Sequence, residues 1–139
     1  AFFNDAEQTQ QHFRDGWFYP GDLAQQDAQG YLYLRGRSND TVIRGGVNIY
    51  PSEIETTLMQ LPELQDCSVF GIADADLGER LACAWVGTSD LTVSELEAHC
   101  RTALARYKVP NVWLRMDELP RNSAGKVLKV RLREIAERP

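Results

Sequence analysis

The sequence predicts an α+β fold: a small mixed or antiparallel sheet flanked by helices and preceded by β-hairpins. Three observations carry this. The runs 67–72 (CSVFGI) and 81–86 (LACAWV) are apolar enough to be central strands. Two other segments repeat apolar residues at helical spacing behind recognisable start signals. Glycine-containing turn signals at 15–16, 27–30 and 44–46 separate short strand-like runs. With 139 residues, 43% apolar and 25% charged, the chain can bury one modest core and lacks the length for a second large domain. No apolar run approaches the ~18 residues of a membrane span.

In chain order, residues 2–14 are polar and glutamine-rich, with Phe2, Phe3 and Phe13 as the large apolar residues, and are expected to dock poorly alone. Asp15-Gly16 marks a turn, residues 17–19 an aromatic strand, and Pro20-Gly21-Asp22 a second turn. Residues 23–26 and 31–35 read as paired strands around Asp27-Ala28-Gln29-Gly30, with Tyr31 and Tyr33 on one face and Leu32 and Leu34 on the other. Gly36-Arg37 ends a strand, Asn39-Asp40 is a turn-prone pair, and Thr41-Val42-Ile43 re-enters a strand. Arg44-Gly45-Gly46 is a hairpin turn, because two glycines accept the positive φ of a tight turn. Pro51 suits a first helical turn, Ser52 is positioned to help cap it, and Glu53 and Glu55 place negative charge near the positive end of the helix dipole. Ile54, Leu58 and Leu61 form that helix's apolar stripe, and Pro62 ends it. Thr92 and Glu95 form a capping box for a helix turning Leu96, Cys100, Ala103 and Leu104 inward. Val112, Leu114 and Met116 alternate as a strand, and residues 127–138 form a closing amphipathic helix with Leu128, Leu132 and Ile135 buried.

Cys67, Cys83 and Cys100 are odd in number and set in apolar runs, so they read as buried, reduced thiols of a cytoplasmic protein. His12 and His99 are too isolated for a metal cluster and read as structural, so no metal site is expected. The net charge of −5 is uneven: residues 1–100 hold five Lys and Arg against sixteen Asp and Glu, and residues 101–139 hold ten against four. A cationic last third suits a polyanion, whether a nucleotide, the phosphates of coenzyme A or a nucleic acid. Arg131, Arg133 and Arg138 are equally accounted for by the solvated face of the last helix. The start at Ala1, without methionine or a signal-peptide pattern, suggests a piece of a longer polypeptide.

The stretch GRSNDTVIRGGVNIYPSEIE (36–55) joins strand, hinge-like turn, glycine hairpin and helix start without a spare residue. It resembles the hinge and glycine hairpin of the adenylate-forming (AMP-binding) enzymes of acyl- and aryl-CoA synthetase type. GWFYPGDL (16–23) and PRNSAGKVLK (120–129) resemble two further motifs of that family in the right order. The resemblance covers the chain from about Phe13 onward and only the small C-terminal lid domain of the family. It implies that residues 1–36 are the tail end of the N-terminal domain with a connecting hairpin. Residues 37–139 are then the lid domain, with its hinge near Asp40.

The resemblance also implies roles. Asp22 would hold the ribose hydroxyls of the adenylate, since one carboxylate accepts from two neighbouring O–H groups; Pro20 stands where the family usually has threonine. Arg37 would touch the same ribose. Asp40 would be the hinge, flanked by Ser38 and Asn39 where charged residues are frequent. Lys126, presented by the turn Asn122-Ser123-Ala124-Gly125, would be the catalytic lysine, placing an ammonium between two anions as charge gathers on the α-phosphate. Gly45 and Gly46 would line the passage for the pantetheine arm of coenzyme A, and Tyr107 and Lys108 would lie near its nucleotide end. Each residue also has a plainer reading: a turn aspartate, a lysine at a helix start, glycines kept for turn geometry, a core tyrosine beside a solvated lysine. The implied ligands are ATP or AMP, coenzyme A and Mg²⁺, the last held mainly by an N-terminal adenylation domain of the same polypeptide, with a small carboxylic acid as substrate. Two other identities remain open: the adenylation domain of a peptide synthetase, and a non-catalytic nucleotide or nucleic-acid binding module. On the synthetase reading no nucleic acid is expected, and the isolated chain should not catalyse the first step.

Overall fold

The computed structural model describes residues 2–138, and the chain divides into two compact units, residues 1–39 and 40–139. The first unit begins with helix α1 (Ala6–His12), whose N-cap Asp5 accepts a hydrogen bond from the Gln8 amide at 2.9 Å. Residues 6–12 are thus helical, although the helix buries none of its residues. Strands β1 (Phe13–Arg14) and β2 (Trp17–Phe18) pair around Asp15 and Gly16. The φ values of +50° and +82° at these two residues are those of a tight hairpin turn. Strands β3 (Asp22–Gln26) and β4 (Leu32–Arg37) form a second antiparallel hairpin. Asp27 closes it by accepting from the Gln29 and Tyr31 amides and the Tyr33 hydroxyl. The Tyr31 amide bond and its companions hold the Asp27 carboxyl below its usual pKa.

The second unit contains the core. Its sheet is built from β5 (Val42–Arg44), β6 (Val47–Ile49), β7 (Leu64–Asp74), β8 (Gly78–Gly87) and β9 (Val112–Arg115). The order is β6-β5-β8-β7, all antiparallel, and β9 runs parallel to β8. Helices α2 (Pro51–Leu58) and α3 (Val93–Ala103) cover one face, where Ile54, Leu58, Leu96 and Cys100 pack on Val69, Cys83 and Trp85. Helix α4 (Lys129–Ala136) covers the other, where Leu132 packs on Phe70, Ile72, Ala82 and Ala84. Successive side chains of a strand point to opposite faces, so burial on both explains why residues 67–72 and 81–86 read as continuous apolar runs.

The structure corrects several expectations. Residues 81–86 are central, but residues 67–72 lie on β7 at the sheet edge. Two side chains close that edge: the Glu55 carboxylate accepts from the Val69 amide at 2.7 Å, and Arg133 Nε donates to the Gly71 carbonyl at 3.0 Å. An unpaired edge is thereby blunted without another strand. Arg133 is thus not simply a solvated residue. Tyr50, not Ser52, occupies the N-cap of α2. The Thr92–Glu95 capping box is present, with Leu96 and Cys100 buried, but Ala103 faces solvent because α3 ends there and Leu104 turns extended. The closing helix begins at Lys129 instead of residue 127. It buries Leu132, while Leu128 and Ile135 remain 36% and 38% exposed.

Candidate functional site

In the first unit, Asp22 and Arg37 stand opposite each other in the β3–β4 register, with Arg37 Nε 3.5 Å from Asp22 Oδ1. The turn before them is held by Ser38, whose amide and hydroxyl both donate to the Gly21 carbonyl, at 2.8 and 3.1 Å. Asp22 lines a cleft of about 460 Å³ together with Tyr19, Pro20, Gly21, Ser38 and Asn39. A carboxylate at a cleft wall, with two oxygens and only one of them facing the guanidinium, retains acceptor capacity for a pair of hydroxyls.

In the second unit, Lys126 sits on a closed turn. The Asn122 side-chain oxygen accepts from the Ala124 and Lys126 amides at 3.0 and 2.9 Å, and the Asn122 amide donates to the Lys126 carbonyl at 2.9 Å. Gly125, at φ +80°, supplies the left-handed residue that brings the chain back, and Arg121 and Val127 form the bridge at its base. Lys126 is therefore presented by a hairpin-like turn three residues before α4, and not at the start of that helix. Its ammonium has no hydrogen-bond or ion-pair partner among the described residues, and the side chain is exposed.

The glycine hairpin is a different place on the same unit. Gly45 and Gly46 have φ of +56° and +80°, and the Gly45 amide donates to the Leu77 carbonyl. A Cβ on Gly46 would meet nothing within 4 Å, so the chain leaves open space where a side chain would stand. Arg44 extends to the Tyr107 carbonyl at 2.8 Å, which ties the hairpin to the Tyr107–Lys108 segment. Gly45, Gly46, Tyr107 and Lys108 are thus brought together, and Arg44, which the sequence did not single out, joins them. Tyr107 is 47% exposed, whereas the Lys108 ammonium is bound to both Glu53 oxygens at 2.7 Å. Lys108 is thus not a freely solvated ammonium, and a phosphate would have to compete with Glu53 for it.

The two places are far apart. The Lys126 turn is tied through Arg121 to Asp66 near one end of β7, and the glycine hairpin to Leu77 beyond the other. Asp66 to Asp74 at ~3.3 Å per residue separates these ends by about 26 Å. The Asp40 carboxylate lies 3.7 Å from Nζ of Lys129, three residues after Lys126, and that ammonium is also 3.8 Å from Glu55. Each histidine is bonded to a backbone carbonyl, His12 Nδ1 to that of Tyr19 and His99 Nε2 to that of Thr57. Among the described residues no three or more His, Cys, Asp or Glu are grouped to hold a metal. The three cysteines are free and buried, and burial pushes the Cys100 thiol up to about 11. The Asp74 carboxyl is lowered by the Leu77 and Asp76 amides that it accepts at the β7–β8 turn.

The unit is thus a two-faced α+β sheet with a partnerless lysine at one end and a glycine hairpin at the other, the arrangement in which the sequence resemblance to the adenylate-forming enzymes had placed both motifs. The model of the AMP-binding enzyme C-terminal domain matches residues 53–126, and the chain belongs to that family. It is 39% identical over 137 residues to a 2-succinylbenzoate–CoA ligase of Bacillus mycoides, covering 99% of this chain and 28% of that protein. It is 41% identical over 134 residues to the long-chain-fatty-acid–CoA ligase FadD13 of Mycobacterium tuberculosis, covering 96% and 27%. Among solved structures it resembles o-succinylbenzoate CoA synthetase (MenE) of Bacillus subtilis in complex with the acyl-adenylate intermediate OSB-AMP. The TM-score is 0.88 at 35% identity, covering 94% of this chain and 27% of that one. The chain spans about a quarter of the length of the curated relatives that it matches.

Proposed function

We propose that this chain is the C-terminal lid domain of an ATP-dependent acyl- or aryl-CoA synthetase of the cytoplasm. The reaction joins a carboxylic acid to ATP, giving an acyl-adenylate and pyrophosphate, and then passes the acyl group to coenzyme A with release of AMP. The observation that carries this reading is the separation of the Lys126 turn from the glycine hairpin along β7 and β8, which gives one compact unit two ends to work with. Lys126, exposed and partnerless, supplies positive charge where the acid attacks the α-phosphate. Asp22 and Arg37 receive the ribose. Gly45 and Gly46 line the passage of a narrow ligand, Gly46 with open space where a side chain would stand, and Tyr107 offers an exposed ring for the nucleotide end of coenzyme A. Asp40 is the hinge about which the two ends exchange places.

Mg²⁺, which in this reaction neutralises phosphate charge, finds no ligand group among the described residues. In this reading it is held by the ATP phosphates and the N-terminal part of the same polypeptide. The free, buried cysteines support a reducing compartment. The test is Lys126→Ala in the full-length enzyme, with the two half-reactions assayed separately. ATP–pyrophosphate exchange falls by roughly 100-fold or more, the range expected for losing one charge-stabilising group, while thioester formation from supplied acyl-adenylate is retained. Equal loss in both half-reactions refutes the assignment.

A further inference from the structure

We propose that Arg121, pinned by Asp66, is a positioning residue that aims the Lys126 turn for the adenylate-forming step. This rests on the reading of Lys126 given above. One guanidinium joins two elements here: Nη1 donates to the Gly125 carbonyl at 2.6 Å, and Nη2 donates to Asp66 Oδ2 at 2.5 Å. The planar fork of arginine suits this double duty, because its donors are fixed relative to one another. Gly125 is the residue immediately before Lys126, so the carbonyl that Arg121 holds belongs to the peptide unit from which Lys126 departs.

The turn has its own internal bonds, and they do a different job. Asn122 fixes the shape of the turn by accepting from Ala124 and Lys126, and the Leu128 amide closes its base on the Pro120 carbonyl at 2.8 Å. All of these lie within residues 120–128 and leave the direction in which the turn points to its attachment on the sheet. That attachment is apolar through Leu119 and Val127, which pack with the Phe70 and Ile72 cluster, and polar through Arg121 and Asp66 on β7. Apolar packing is non-directional, whereas a charge-assisted fork fixes an angle. The Arg121 and Asp66 side chains are 44% and 34% exposed, so the pair contributes little to folding stability. The location of the pair points instead to orientation: an ammonium on a four-carbon stem must meet charge developing at one point, and a displacement of ~1 Å there can cost as much as 100-fold in rate.

The experiment measures both half-reactions of the full-length enzyme in Arg121→Ala, Arg121→Lys and Asp66→Asn, each alone and combined with Lys126→Ala. Arg121→Ala is expected to lower kcat for ATP–pyrophosphate exchange by roughly 10- to 100-fold. KM for ATP and thioester formation from supplied acyl-adenylate stay near the parent values. Arg121→Lys, which keeps the charge and loses the fork, and Asp66→Asn, which keeps an acceptor and loses the charge, fall in between. In the Lys126→Ala background none of them lowers exchange further, because there is no ammonium left to aim. If Arg121→Ala unfolds the protein, the milder Asp66→Asn carries the same comparison. Loss shared equally by both half-reactions, or a further loss in the Lys126→Ala background, overturns this inference alone. Exchange left intact by Lys126→Ala overturns the functional reading, and this inference with it.

Discussion

Replacing Gly46 by leucine separates the two roles open to the glycine hairpin, turn geometry and ligand passage. Gly46 has φ +80°, and a Cβ built there meets nothing within 4 Å, so the cost to the fold is backbone strain without a clash. For an L-residue in the left-handed region that cost is about 1–2 kcal/mol. A folded domain with about 5–15 kcal/mol of stability survives it. The expected fall in Tm is about 4–16 °C, at ~4–8 °C per kcal/mol for a unit of this size. The molecule supplies its own controls, because Gly16 at φ +82° and Gly125 at φ +80° also have nothing within 4 Å of a built Cβ. The three leucine variants therefore share one backbone cost and differ only in place. In the full-length enzyme, Gly46→Leu spares ATP–pyrophosphate exchange and abolishes thioester formation. Gly125→Leu, in the Lys126 turn, lowers exchange and spares thioester formation, and Gly16→Leu changes neither half-reaction selectively. Circular dichroism melts establish that the three are comparably folded. If Gly46→Leu weakens both half-reactions alike, or if Gly16→Leu reproduces its pattern, the hairpin glycines serve turn geometry alone and the reasoning fails.

The next three predictions are independent of the lid reading, and the last one rests on it. Glu55→Ala leaves the Val69 amide without its partner at the edge of β7 and should cost about 2 kcal/mol, read as a lower urea midpoint, whereas Glu55→Gln keeps an acceptor and loses about half as much; equal midpoints for Glu55→Ala and the parent would refute the edge-closing role. Burial raises the Cys100 thiol from 9.0 to about 11 and also raises Cys83. A raised folded-state pKa means stability that is complete below the unfolded pKa and lost as pH climbs through the folded one, so unfolding free energy should decline between pH 9 and 11. A thiol reagent at pH 8 should label none of the three cysteines in the native chain and all of them in denaturant, because folding buries all three away from the reagent. Asp40→Pro, which fixes φ at the proposed hinge, should retain one half-reaction of the full-length enzyme and lose the other; retention of both at parental rates would remove Asp40 from that role.

Much of the fold is local and was therefore legible in the sequence. The Thr92–Glu95 capping box, the Asp27–Gly30 turn and the positive-φ glycines at 45–46 involve residues within a few positions of one another, so spacing alone determines them. The same holds for the strands of residues 81–86, whose two buried faces leave a continuous apolar run. Helix ends were less legible. Whether Leu128 and Ile135 are covered depends on what lies opposite them, and α4 starts at Lys129, two residues later than its periodicity implied.

Within the candidate site, the sequence supplied the residue types and their order, and Lys126, Gly45, Gly46, Asp22 and Arg37 were all singled out by motif. Only the tertiary structure decided their partners. Glu53 and Lys108 are 55 positions apart, as are Asp66 and Arg121, while Arg44 and the Tyr107 carbonyl are 63 apart. No periodicity links such residues, because their distances follow from how β7 and β8 pair and from which helix lies on which face. A charged side chain announces its own charge in a sequence, but its partner is set by strand register and helix packing. For that reason the candidate site residues were legible, and Arg44, Asp66 and Arg121, which bond to the segments that carry them or to one another, were not.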